Sequence, residues 1–209
     1  MQPVLASGEP VRSRVHSGPT RLGQMRPVAT QGVATRKMHD QLPVSQAPRL
    51  SGSADADWAG ESDTAKSTTG WAFSAGSGAL SWRAGTQNIV AHSSTEAELI
   101  ALDEACRELM YLRALFADMR IPVELPVRIA QDNLSTIKLV DAGRFNPRTR
   151  HMNVRYHYCH GLQSDGLVLI HHLGTDKMPS DVLTKALPKR EHRKHSDVLL
   201  GRAQLEGAC

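Results

Sequence analysis

The chain reads as an α/β fold built on a mixed sheet. Three observations carry that reading: the residue pattern changes character near residue 51, the first strand-like runs form a meander, and the later ones alternate with helical runs. Residues 53–58 read as a strand, and residues 68–74 and 79–82 as two more joined by a tight turn at Gly76-Ser77-Gly78. A helix follows. Ser93 to Thr95 supply capping hydroxyls, Glu96 and Glu98 fall in the first turn, and Ala97, Ala101, Ala105, Leu109, Leu112 and Phe116 recur at three- and four-residue spacing, with Pro122 setting the end near Met119. Residues 127–130 form a short apolar strand running into Asp132, and residues 135–140 a brief helix stopped by Gly143. The last strand, at 167–173, follows Asp165-Gly166, and a helical stretch from Pro179 carries Asp181 into a basic run. The expectation is one sheet from residues 53–58, 68–74, 79–84, 126–131 and 167–173, crossed by the long helix.

Composition divides the 209 residues into a leader, a folded part and a short tail. Residues 1–50 hold seven Arg or Lys against Glu9 and Asp40, a charge of +5, whereas the remainder carries −1. That first segment is rich in Pro, Gly, Ser and Gln and has no Phe, Trp or Tyr, so it reads as a disordered basic leader; an organellar transit peptide or an RNA-binding arm has the same composition. Residues 51–200 form the expected domain and 201–209 a C-terminal tail. No run approaches the ~20 apolar residues of a membrane span, and the N-terminus lacks an apolar signal core. The expectation is an intracellular, non-secreted monomer, cytoplasmic or nuclear, with no membrane partner. Cys106, Cys159 and Cys209 are few and odd in number, which argues against a disulfide framework or zinc site and for a reducing compartment.

Acidic residues stand at four separate places on this frame: Asp55, Glu96, Asp132 and Asp181. Hard divalent cations take oxygen ligands, and a pair of them can hold the attacking and leaving oxygens of a phosphodiester. Scattered acids are otherwise surface charge; what lifts these is that each sits on or beside an element that one sheet could gather. Strand periodicity places Asp55 and Asp57 on the same face and does not choose between them. Glu96 and Glu98 lie about 200° apart on a helix, so only one faces the sheet. Glu96, four residues before Ile100, is taken as that one, with Glu98 facing water or serving as cap partner to Thr95. Asp132 falls at the C-terminal end of its strand, where α/β sheets place ligands.

Six runs in order, Asp55-Ala56-Asp57-Trp58-Ala59-Gly60, Lys66-Ser67-Thr68-Thr69-Gly70-Trp71, Ser93-Ser94-Thr95-Glu96-Ala97-Glu98, Asp132-Asn133, Arg148-Thr149-Arg150-His151 and Ser180-Asp181-Val182-Leu183-Thr184-Lys185, resemble the ribonuclease H domain of copia-type retrotransposon Pol polyproteins. The resemblance spans about residues 51–200. It implies a ribonuclease H-like fold, a five-stranded mixed sheet flanked by helices, and a catalytic site of two Mg2+ ions, with Mn2+ as a substitute. Carried over residue by residue, Asp55 would bridge both ions, Glu96 and Asp132 would complete one, and Asp181 would hold the ion that activates water. The implied reaction is endonucleolytic hydrolysis of the RNA strand of an RNA–DNA hybrid, with a reverse transcriptase domain of a parent polyprotein as a possible partner. The chain departs from the family pattern at Ser53-Ala54, where Tyr-Ser is usual, at Leu134, where Gln is usual, and at Gly174, where Pro is usual.

Arg144, Arg148, Arg150, His151 and Arg155 form an acid-free basic stretch with Tyr156 and Tyr158 just after it. It reads either as a solvated helix face or as a phosphate-contacting patch. The resemblance at Arg148, Arg150 and His151 favours contact with nucleic acid, to which Asn133 is added. His171 and His172, adjacent on a strand, point to opposite sides and are read as structural. The run from Lys185 to His195 is read as a solvated helix. A second function class stays open beside the nuclease: a decayed or co-opted element that binds nucleic acid without cutting.

Overall fold

The structure, a computed structural model, describes residues 48–61, 63–143 and 152–203. The expected leader up to residue 47 and the tail from residue 204 lie outside the described residues. Five strands form one sheet: β1 (Leu50–Asp57), β2 (Thr68–Ala75), β3 (Ala79–Thr86), β4 (Val127–Gln131) and β5 (Val168–His172). Their order is β3-β2-β1-β4-β5. The first three make the antiparallel meander, turned at Gly76 with φ +113°, and β1–β4 and β4–β5 pair in parallel. Parallel neighbours need a crossover of a dozen or more residues. Helix α1 (Ser94–Asp118) makes the first, and α2 (Leu134–Ala142) with α3 (Asn153–Ser164) the second. Two helices follow β5, the single-turn α4 (Asp181–Thr184) and α5 (Lys189–Leu199).

The strands and the long helix follow the sequence reading, but β1 starts three residues before the expected 53–58, and α3, over Asn153–Ser164, has no counterpart among the expected elements. β1 begins at Leu50, whose side chain is buried in the core, so the ordered sheet starts one residue earlier than the composition change suggests. The spacing read for α1 is also its buried face: Ala97, Ala101, Ala105, Leu109, Leu112 and Phe116 are all buried. Leu99, Leu102, Leu109 and Leu112 pack with Ala54, Trp71 and Phe73 of the sheet and with Tyr156, Cys159 and Leu162 of α3. Each such leucine contributes about 1.5–3 kcal/mol by leaving water. Cys106 and Cys159, far apart in sequence, meet here as buried free thiols. A hydrogen bond to Cys106 and then burial push the Cys159 thiol well above its usual range, which keeps it neutral.

One face of the central strand goes to that core and the other to the C-terminal segment. Ala54 lies in the core beside Trp71, while its neighbour Asp55, also fully buried, is paired across the sheet with Gly70. A Cβ on Gly70 would stand 2.5 Å from Thr184 Cγ2, 2.9 Å from Leu183 Cβ and 3.1 Å from the Ser180 carbonyl oxygen. Glycine at this position therefore lets α4 lie directly on β2 beside Asp55. Gly70→Ala is expected to lower the melting temperature by roughly 2–12 °C through overpacking. Gly85→Ala, whose Cβ would meet nothing nearer than Arg83 at 3.8 Å, serves as the control in the same melting experiment.

Candidate metal centre

The start of α1 decides which glutamate enters the site. Ser93 is the N-cap: its backbone is extended and its hydroxyl accepts from the Glu96 N–H at 3.1 Å. Glu96 is then the third helical residue, where an acid reaches back over the helix start. Its Oε2 accepts from the His92 N–H at 2.7 Å. Two residues on, about 200° around the helix, Glu98 points to the sheet. It is buried, and one oxygen each of Glu98, Asp55 and Asp132 lie within 4.8 Å of one another, the one such group among the described residues.

Asp132 is held by what leaves β4. The buried Gln131 side chain accepts from the N–H groups of Asp132 at 2.8 Å and Asn133 at 3.1 Å, fixing the turn out of the strand. The Asn133 side-chain oxygen in turn accepts from Ser135 and Thr136 at 2.9 and 3.1 Å and caps α2. Thr175 donates to Asp132 Oδ2 at 2.8 Å.

From the far side α4 closes over Asp55. Thr184 donates its hydroxyl to Asp55 Oδ2, and the Lys185 ammonium lies 3.1 Å from both Asp55 Oδ1 and Asp181 Oδ1. Asp181 is buried and joins Asp55 through that ammonium.

The electrostatics of the two flanks differ. Burial first, then the charges of Asp55 and Asp132, push the Glu98 carboxyl up to about 9. Burial and Asp55 raise Asp181 to about 6. Burial opposes the charge on Lys185, but Asp55 and Asp181 outweigh it and raise its pKa. Glu98 Oε2 is buried with no hydrogen-bond partner. An orphaned carboxylate oxygen beside two further carboxylates is a donor set of hard oxygens only, which fits a divalent cation such as Mg2+.

The structure brings three of the four expected acids, Asp55, Asp132 and Asp181, to one place. The fourth position is corrected: Glu98, not Glu96, joins Asp55 and Asp132, because the Ser93 cap commits Glu96 to the helix start. Asn133 is a helix cap, with its side-chain oxygen turned to the backbone of α2 rather than outward. Arg148, Arg150 and His151 lie outside the described residues. Two neighbours of that stretch are reassigned: Tyr156 is buried in the core, and Arg155 faces Asp103 of α1 at 3.7 Å. Lys185, read as part of a solvated basic run, is instead the cation of the site; its spacing four residues after Asp181 on a helical segment was the available signal.

No protein-family model matches the chain. Over 144 residues, 69% of its length, the chain is 35% identical to the retrovirus-related Pol polyprotein from transposon TNT 1-94 of Nicotiana tabacum, and over 135 residues it is 32% identical to that from transposon RE2 of Arabidopsis thaliana. The chain spans only 11% and 9% of the length of these relatives. Among solved structures, the N-terminal RNase H domain of a Mycobacterium tuberculosis protein is similar over 72% of this chain and 98% of that one, at 12% identity and a TM-score of 0.49. By its sequence matches, the chain belongs to the retrovirus-related Pol polyproteins of transposons.

Proposed function

We propose that this domain is a divalent-metal-dependent nuclease that hydrolyses the RNA strand of RNA–DNA hybrids, with Mg2+ as the ion. The observation that carries the proposal is the gathering of Asp55, Glu98 and Asp132 within 4.8 Å around a buried, unpartnered Glu98 oxygen. Three carboxylates in so small a space repel one another unless a proton or a cation intervenes. Asp55, Glu98 and Asp132 would hold one ion, and Asp55 with Asp181 would face a second. Such ions supply positive charge to the phosphodiester oxygens and lower the pKa of water. The protein's own groups fix the donors. Gln131 sets the turn that presents Asp132, Thr184 holds Asp55 in place, and the Ser93 cap sets the helix phase that turns Glu98 inward.

The Pol polyprotein relatives support a setting beside a reverse transcriptase domain, which would supply part of the affinity for the hybrid. The deciding assay compares a labelled RNA–DNA hybrid with matched RNA and DNA duplexes, in Mg2+ and in chelator. Cleavage confined to the hybrid's RNA strand, lost in chelator and in Asp55→Asn, is the expected result. Cleavage by Asp55→Asn at the parent's rate would overturn the reading, and hybrid binding without cleavage would point to the decayed or co-opted element instead.

A further inference from the structure

Both oxygens of the central carboxylate are engaged on one flank only. Asp55 Oδ1 takes the Lys185 ammonium and Oδ2 the Thr184 hydroxyl, both from the C-terminal segment, while the Glu98 oxygen on the opposite flank has no partner. Lys185 lies equally, at 3.1 Å, from Asp55 and Asp181, which is where a cation bridging those two acids would stand. Its side chain is 29% exposed, so the ammonium has a path to water if it is displaced. A flexible four-carbon stem with a compact terminal charge suits such a movement better than a rigid guanidinium would.

We propose that Lys185 is a resident counter-cation that occupies the Asp55–Asp181 gap in the metal-free domain and must swing out before a divalent ion can enter there. The inference rests on the metal-dependent reading above and adds an order to it. The Asp55–Glu98–Asp132 flank, which lacks a cation, fills first. The Asp55–Asp181 flank fills second, in exchange for the lysine. Lys185 is thus a positioning residue in the metal-free state and a competitor of the second ion.

Binding of Mg2+ without substrate, followed by calorimetry, tests this in the parent, Lys185→Met and Lys185→Arg. In Lys185→Met the weaker of the two binding events should tighten on the order of tenfold, since a like charge a few ångströms away is removed. The same variant should melt lower than the parent in chelator, because two buried carboxylates lose their partner. Lys185→Arg should keep the second event weak. In the parent, the ammonium nitrogen resonance, assigned by its loss in Lys185→Arg, should move to that of a free lysine as the second event saturates. This keeps the test open even if Lys185→Met does not fold. Two binding events with unchanged affinity in Lys185→Met, or an ammonium resonance that stays put at saturating Mg2+, would overturn the counter-cation while leaving the metal reading intact. A parent that takes up no Mg2+ would overturn both.

Discussion

Glu98→Gln is expected to reduce hybrid hydrolysis by about 100-fold or more, at or above the top of the roughly 10–100-fold range usual for disturbing the outer partners of a metal ligand, whereas Glu96→Gln keeps a rate near the parent's. The two substitutions make the same chemical change two residues apart, so the contrast isolates position. Glu98 stands with Asp55 and Asp132, and its amide replacement leaves the size of the side chain but removes the charge a cation would meet. Glu96 instead accepts from the His92 N–H. Glutamine keeps a side-chain oxygen that can accept the same bond at this capping position, so the replacement should leave the melting temperature close to the parent's. Steady-state cleavage of a labelled hybrid, with thermal melting beside it, reads both. Equal losses of rate in the two variants would remove the assignment of Glu98.

In chelator, the parent should become less stable as the solution turns alkaline, and Glu98→Gln should flatten that decline. The Glu98 carboxyl is ordinarily half-ionised near 4.5 and in the fold near 9, so folding takes up a proton across that window. Stability from this group is fully present below about 4.5, falls as pH rises, and is gone above about 9. Asp181, raised from 3.8 to about 6, acts with the same sign over a lower window. Glutamine imitates the protonated acid at every pH and removes the Glu98 part of the slope. A divalent ion, binding the folded state alone, should restore melting temperature most at the alkaline end, where it replaces the missing proton. Melting curves at intervals from about pH 5 to pH 9, with and without Mg2+, provide the measurement. Parallel curves for parent and variant in chelator would show that Glu98 does not titrate as its surroundings require.

Much of the frame is legible in the residues because local pattern and burial agree. The long helix announces its buried face by spacing, and the hairpin announces itself by Gly76-Ser77-Gly78. The site is less legible, for three physical reasons. Asp55 and Asp57 share a strand face, and only the pairing of Asp55 with Gly70 beneath α4 separates them; the Asp57 carboxylate lies over Gly60 in the following turn. Choosing between Glu96 and Glu98 requires knowing which of Ser93, Ser94 and Thr95 is the cap. With Ser93 as the cap, the Ser-x-x-Glu spacing assigns Glu96 to the helix start and frees Glu98 for the sheet, so the signal was present in the sequence. Lys185 was hidden by its company, since six of the next ten residues are Lys, Arg or His and the run reads as solvated. Charge composition describes a segment, whereas burial is decided residue by residue.

The bonds from Thr184 and Lys185 to Asp55 span 129 and 130 positions of the chain. On a ribosome, the central strand is made long before the residues that neutralise its acid. Until they emerge, closing the sheet around Asp55 means burying a charge without a partner, a step that physics makes uphill. The Asp55–Asp181 side of the cluster is thereby the last to set. The closed arrangement of Asp55, Asp181 and Lys185 is a property of the finished fold alone.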